Sequence, residues 1–162
     1  MLLPKLMAMN SLNFDFQECA FSEKMMNCKD RKDGLSREGA GRVAIYKMTE
    51  LPNCYTLECH YVTAKRINTI SERQDIKTGQ ILPEDEAVTD SNSKMYQGEN
   101  KIPLYTPIIF EDVGRSFCVG LLDLVDANPL SRVATSQYKC TDGVKREVIC
   151  SQHLQLPPKL KQ

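Results

Sequence analysis

The chain has 162 residues, the length of one ordinary domain, and a chain of that size buries roughly 70% of the surface its unfolded form exposes, so it needs no staple to fold. Lysine plus arginine and aspartate plus glutamate both number 21, leaving a net charge of zero. That balance excludes a general affinity for nucleic acid or an anionic membrane, which would need a basic excess, and no run approaches the roughly 20 apolar residues of a membrane span.

Seven cysteines are an odd count, none falls in a CxxC pair, and no Asn-x-Ser/Thr site occurs. A secreted disulfide framework normally shows an even number. The expected compartment is therefore reducing, cytoplasmic or nuclear, with free thiols acting as small hydrophobes. The alternative is a secreted chain whose leader has been removed.

In chain order, residues 1–12 read as an N-terminal arm. Asn13 to Phe21 suggests a short strand with Phe14 and Phe16 on one side, followed by one short helix capped by Ser22. Cys28 to Gly41 is loop-like, charged and glycine-rich, but lacks the GxxxxGK[ST] pattern of a phosphate cradle. Val43 to Thr49 and Cys54 to Thr63 alternate and predict an antiparallel hairpin across Leu51-Pro52-Asn53. The second has the cleanest period of two in the chain. Tyr55, Leu57, Cys59 and Tyr61 fall on one face, with Thr56, Glu58, His60 and Val62 on the other.

Residues 71–101 are polar and read as a long surface loop. Gln80-Ile81-Leu82 and Lys94-Met95-Tyr96 are its candidates for small edge strands. Four further strands are expected beyond it. Leu104 to Glu111 would be an edge strand because Pro107 cannot donate to a ladder. Phe117 to Val125, apolar on both faces, would be an interior strand covered on both sides. Arg132 to Lys139 and Arg146 to Gln152 would follow, with a hairpin signal at Asp142-Gly143. Residues 154–162 read as a flexible C-terminal tail. The fold class that results is all-β, an antiparallel sandwich or partly open barrel over residues 13–153, with α+β as the alternative.

No catalytic, cofactor-binding or metal-ligating residue is assigned, and no cofactor is expected. The two histidines lie near cysteines, so Cys54, Cys59, Cys150 and His153 would make a zinc site if their strands were neighbours. Cys54 and Cys59 face opposite sides of a flat strand, however. Asp123 is the one acid inside the apolar run, and its simplest role is a salt bridge or turn cap near a strand end. Cys59 and His60 are adjacent, so their side chains diverge in a strand and make no nucleophile–base pair. Tyr46, Tyr55 and Tyr61 could stack bases on a sheet face, but Tyr55 and Tyr61 are better explained as core. The reading left is a non-catalytic protein–protein interaction or scaffold domain, leaning away from an enzyme. It would bind another protein through an edge strand, the long loop or the tail. The alternatives are a zinc-stabilised domain, a secreted small-ligand barrel, or a single-stranded nucleic-acid binder.

Overall fold

The computed structural model describes residues 1–21, 41–51, 53–84, 86–98 and 102–155, with side chains through residue 151. The chain divides into two compact units, Met1–Gln17 together with His60–Gln162, and Glu18–Cys59. The all-β expectation is overturned. The described residues form helices α1 (Leu2–Asn10), α2 (Gly41–Thr49), α3 (Pro107–Leu124) and α4 (Thr141–Gln155), and only three short strands, β1 (Arg73–Asp75), β2 (Ile81–Leu82) and β3 (Leu130–Ser131).

Helix α3 corrects the central expectation, because it contains the run Phe117 to Val125 up to its last residue. Thr106-Pro107 opens it. A proline at the first helical position has φ preset and lacks only an N–H that a helix start leaves unpaired anyway. The feature taken as the mark of an edge strand is thus a helix start. The helix is eighteen residues long, and it stops where Asp126 turns left-handed at φ 53°. Ile109, Val113, Ser116 and Gly120 are buried at spacings of four, three and four, the signature of one helical face.

That face receives α1. The residues read as a terminal arm hold Leu6, Met7, Ala8 and Met9, all buried. Pro4 is tolerated because it lies in the first turn. The approach is closest at Gly120. A Cβ there would lie 3.3 Å from the Met7 backbone nitrogen and 3.4 Å from Leu3 Cδ1. Leu6, Met9, Val133 and Val144 form the buried cluster, with Leu2, Leu124 and Tyr138 packed against it.

Helix α4 replaces both the expected hairpin at Asp142-Gly143 and the expected strand from Arg146. Its first turn begins just after Lys139, whose φ is 63°. A Cβ at Gly143 would fall 2.1 Å from the Tyr138 carbonyl oxygen, so glycine serves a close backbone approach here rather than a hairpin turn. Arg132 to Lys139 is a series of turns, not a strand. The sheet is small and antiparallel, in the order β2-β1-β3. Gly79, at φ 74°, makes the β1–β2 turn, and the Asp75 carboxylate accepts from the Lys77 and Thr78 amides. Lys94–Tyr96 is a 3-10 turn rather than an edge strand, and it buries Tyr96.

In the other unit, Val43 to Thr49 lies within α2, so the expected hairpin with Cys54 to Thr63 does not form. Cys54 to Cys59 has no regular secondary structure and pairs into no ladder among the described residues. The short helix expected at Ser22 and the loop from Cys28 to Ala40 lie outside the described residues.

Candidate functional site

Three features of the larger unit and its neighbour have the chemistry to be tested as sites. The first is a pair of carboxylates on the covered side of α3. Asp123 is 2% exposed. It accepts hydrogen bonds from Asn10 Nδ2 at 2.7 Å, Asn128 Nδ2 at 2.8 Å and Ser131 Oγ at 2.7 Å. Asp112, equally buried, accepts from Ser11 Oγ at 2.5 Å and Asn13 Nδ2 at 3.1 Å, with Arg115 Nη2 at 3.4 Å. Each buried charge is met by donors from α1 or the residues just after it, as a buried carboxylate requires. Asp123 therefore sits in the last turn of a helix as a cross-link between α1, α3 and β3. It is not at a strand end, and the described residues bring it hydrogen-bond donors rather than a cation.

Tyr96 belongs to the same network. Its hydroxyl donates to the Val88 carbonyl at 2.8 Å and accepts from Asn13 Nδ2 at 3.0 Å. Burial, opposed by the Asn13 bond and reinforced by the nearby Asp112 charge, pushes its pKa up to about 12. Beside it, Arg115 pairs with Glu86 at 2.5 Å as well as with Asp112. Arg132, buried, grips Glu84 with two bonds of 2.6 and 2.8 Å and donates a third to the Ser71 carbonyl. Burial alone would raise Glu84, but the Arg132 and Thr89 bonds and the Arg132 and Arg73 charges bring it below the usual value. Residues 71–101 therefore supply β1, β2, Glu84 and Tyr96 to this unit. A loop that could be cut away without loss is not what they form.

The second feature is a cavity of about 520 Å³ lined by Lys5, Phe16, Arg66, Asn68 and Tyr138 among others. Its cations are already engaged. Lys5 Nζ lies 5.1 Å from the Phe16 ring centre and 5.4 Å from that of Tyr138, and Arg66 Nε meets Asp15 Oδ2 at 2.5 Å. Asn68 Nδ2 donates to the Ala8 carbonyl. The lining reads as a braced wall between α1 and the Arg66–Ser71 stretch.

The third feature is uncovered apolar surface. On the face of α3 next to the one α1 covers, Phe110, Phe117 and Leu121 recur at helical spacing, Val125 follows at the helix end, and all are exposed, Val125 by 68%. In the smaller unit, Ile45, Tyr46, Met48, Leu51, Tyr55 and Leu57 are exposed, and Val43 is the one buried hydrophobic among its described residues. Surfaces of this composition mark interaction sites when they are contiguous.

The residues singled out for zinc are divided between the two units, Cys54 and Cys59 in one and Cys150 and His153 in the other. Cys54 and Cys59 are half-buried in the smaller unit, with the Cys59 thiol pushed up by burial, whereas Cys150 is exposed on α4. His153 lies among the α4 residues whose side chains are not described. His60 Nδ1 accepts from the Val62 and Thr63 amides at 3.1 and 3.0 Å, which makes it a turn cap. Among the described residues no group of three or more His, Cys, Asp or Glu is placed to hold a metal ion. Nor do the described residues form an aromatic sheet face. Tyr46 is on α2, Tyr55 lies outside any strand and edge-on to Phe21 at 6.1 Å, and Tyr61 is 93% exposed rather than core.

No protein-family model matches the chain. Curated proteins do. The chain is 41% identical over 145 residues to rat (Rattus norvegicus) cytosolic carboxypeptidase-like protein 5, a match that covers 90% of this chain and 16% of that protein. The human protein of the same name is also 41% identical over 145 residues, covering 90% and 15%. The zebrafish (Danio rerio) one is 36% identical over 149 residues, covering 92% and 15%. The chain thus spans about a sixth of the length of the relatives it matches. Their name places them in the cytosol, in agreement with the expected reducing, cytoplasmic compartment. No helix among the described residues is long and apolar enough to cross a membrane.

Proposed function

We propose that this chain is part of a cytosolic carboxypeptidase-like protein, an enzyme class that hydrolyses the last peptide bond of a polypeptide, and that it works there as a packing and interaction element. The observation that carries this reading is the 41% identity maintained over 145 residues to proteins of that name. The uncovered apolar face of α3 and the exposed apolar residues of the smaller unit support it, because they are what an element seated against further protein would present. The partner is accordingly another stretch of protein. The buried networks of Asp112 and Asp123 hold the element in shape, and the apolar faces seat it.

A chimaera tests the reading. The matched residues of the rat protein are replaced by those of this chain, and release of the C-terminal residue from a peptide is measured. Retention of activity within about tenfold, a change of about 1.4 kcal/mol in transition-state stabilisation, is expected. A folded chimaera with background activity would overturn it.

A further inference from the structure

The cavity beside α1 lies wholly within the larger unit, and its walls carry more hydrogen-bond donors than the chain itself uses. Lys5, on α1, holds its Nζ 5.1 Å from the centre of the Phe16 ring and 5.4 Å from that of Tyr138. At that range the rings attract the charge but accept no hydrogen bond, and no acceptor meets Lys5 Nζ among the described residues. The side chains of Gln17, Thr69, Ser71 and Gln137 line the same cavity and likewise make no hydrogen bond among the described residues. Asp15 and Arg66, the other charged groups of the lining, meet each other at 2.5 Å. Two cations against one carboxylate leave the lining with one positive charge in excess. An ordinary surface lysine covers apolar area with its stem and turns its ammonium to water. Convergence sets Lys5 apart. Donors from α1, from the 3-10 turn Phe16–Glu18, from residues 69–71 and from Gln137, remote from one another in sequence, border one volume of about 520 Å³.

We propose that this cavity binds a small phosphate monoester, with Lys5 meeting the phosphate charge and the four neutral side chains supplying donors to its oxygens. The proposal is independent of the interaction role given above. A phosphate monoester presents its acceptor oxygens in several directions, which suits hydroxyl and amide donors spread over several walls. A planar carboxylate is better met by the fork of an arginine, whereas lysine serves phosphate as a point charge. The volume falls in the range of small-ligand sites and is more than an oxyanion alone fills. The organic part would lie against Ala8, Met9 and Ile67, which belong to the apolar share of the lining. The two rings hold Lys5 in place before binding, so less side-chain freedom is lost when the ligand arrives.

Calorimetric titration of the full chain at fixed ionic strength tests this, with phenyl phosphate as the probe and inorganic phosphate and benzoate as comparisons. Phenyl phosphate should bind at one site with a Kd of about 1 mM or below. Lys5→Met keeps an unbranched stem, removes the charge and should weaken that binding at least about tenfold. Lys145→Met removes an exposed lysine of α4 that pairs with Asp142, and should leave the affinity unchanged. No saturable binding up to about 10 mM overturns the proposal. Equal weakening by Lys5→Met and Lys145→Met also overturns it, since the attraction would then be general charge rather than a site. Benzoate binding as tightly as phenyl phosphate refutes the phosphate, and inorganic phosphate binding as tightly refutes the organic part. If Lys5→Met does not fold, Gln137→Ala, at an exposed position, supplies a second measurement. A loss of about threefold or more is expected from the missing donor, and an unchanged affinity overturns the assignment. Phenyl phosphate should also raise the melting midpoint of the unsubstituted chain and not that of Lys5→Met. An equal rise in both counts against the site.

Discussion

Helix α3 and the segment Cys54–Cys59 carry apolar residues at similar density and dispose of them differently. On α3 one face is closed by α1, with Ile109, Val113 and Gly120 buried, while Phe110, Phe117 and Leu121 on the next face stay open. In the segment Cys54–Cys59 Tyr55 and Leu57 are exposed, and it joins no helix or ladder among the described residues. The helix satisfies its own backbone, so it needs company only for its side chains. A segment without regular structure depends on a neighbour for both. The difference teaches that an element can hold its conformation with half its partners missing only when its hydrogen bonds are internal.

Four tests, by substitution or titration, would break or sharpen this contrast. The largest effect is expected on the closed side of α3. Asp123→Ala strands three donors, from Asn10, Asn128 and Ser131, and should cost roughly 3 kcal/mol or more in urea-unfolding free energy. A cost under about 1 kcal/mol would mean that the α1–α3 contact does not depend on that network. Next is pH. Tyr96 ionises at about 12 in the folded chain against an ordinary 10, so its contribution is complete below pH 10 and is lost as pH rises toward 12. The loss should be of order 2 kcal/mol. Tyr96→Phe should flatten that part of the stability curve, and an unchanged alkaline slope would refute the assignment.

Smaller again is Gly120→Leu, which forces α1 away from α3 and should cost about 1–3 kcal/mol by overpacking, measured by thermal melting. A neutral result would show the helices free to separate. The smallest effect is expected on the open surfaces. Leu121→Ser and Leu57→Thr should each change the stability of the isolated chain by no more than about 0.5 kcal/mol. In the rat chimaera both should cost more. Equal values in the two contexts would mean that neither surface is covered.

Much of what makes α3 was present in the residues. Thr106-Pro107 is a helix start and Asp126-Ala127-Asn128-Pro129 a stop, yet Pro107 was equally readable as the mark of an edge strand and the second as a turn between strands. The run Phe117 to Val125 is apolar on both faces, and such a run does not reveal its period. Length was the discriminating signal, since 18 residues from Pro107 suit a helix better than a strand. The hairpin expected at Asp142-Gly143 failed for a different reason. Glycine can serve a turn or a close approach, and only the Tyr138 carbonyl shows which. The cross-links to Asp112 and Asp123 were invisible in sequence, because Ser11 and Asn10 lie 101 and 113 positions from their partners.

What the residues decided alone was local: neutral charge, no membrane-spanning run, and turns at Gly79 and Asp126. What the tertiary structure decided was which apolar faces meet. Whether Leu6 and Met9 form an arm or a core, and whether Phe117 to Leu124 coils or extends, turns on surfaces about a hundred residues apart. Burial free energy is gained only when two such faces come together, and a pattern read along one element carries no record of the other.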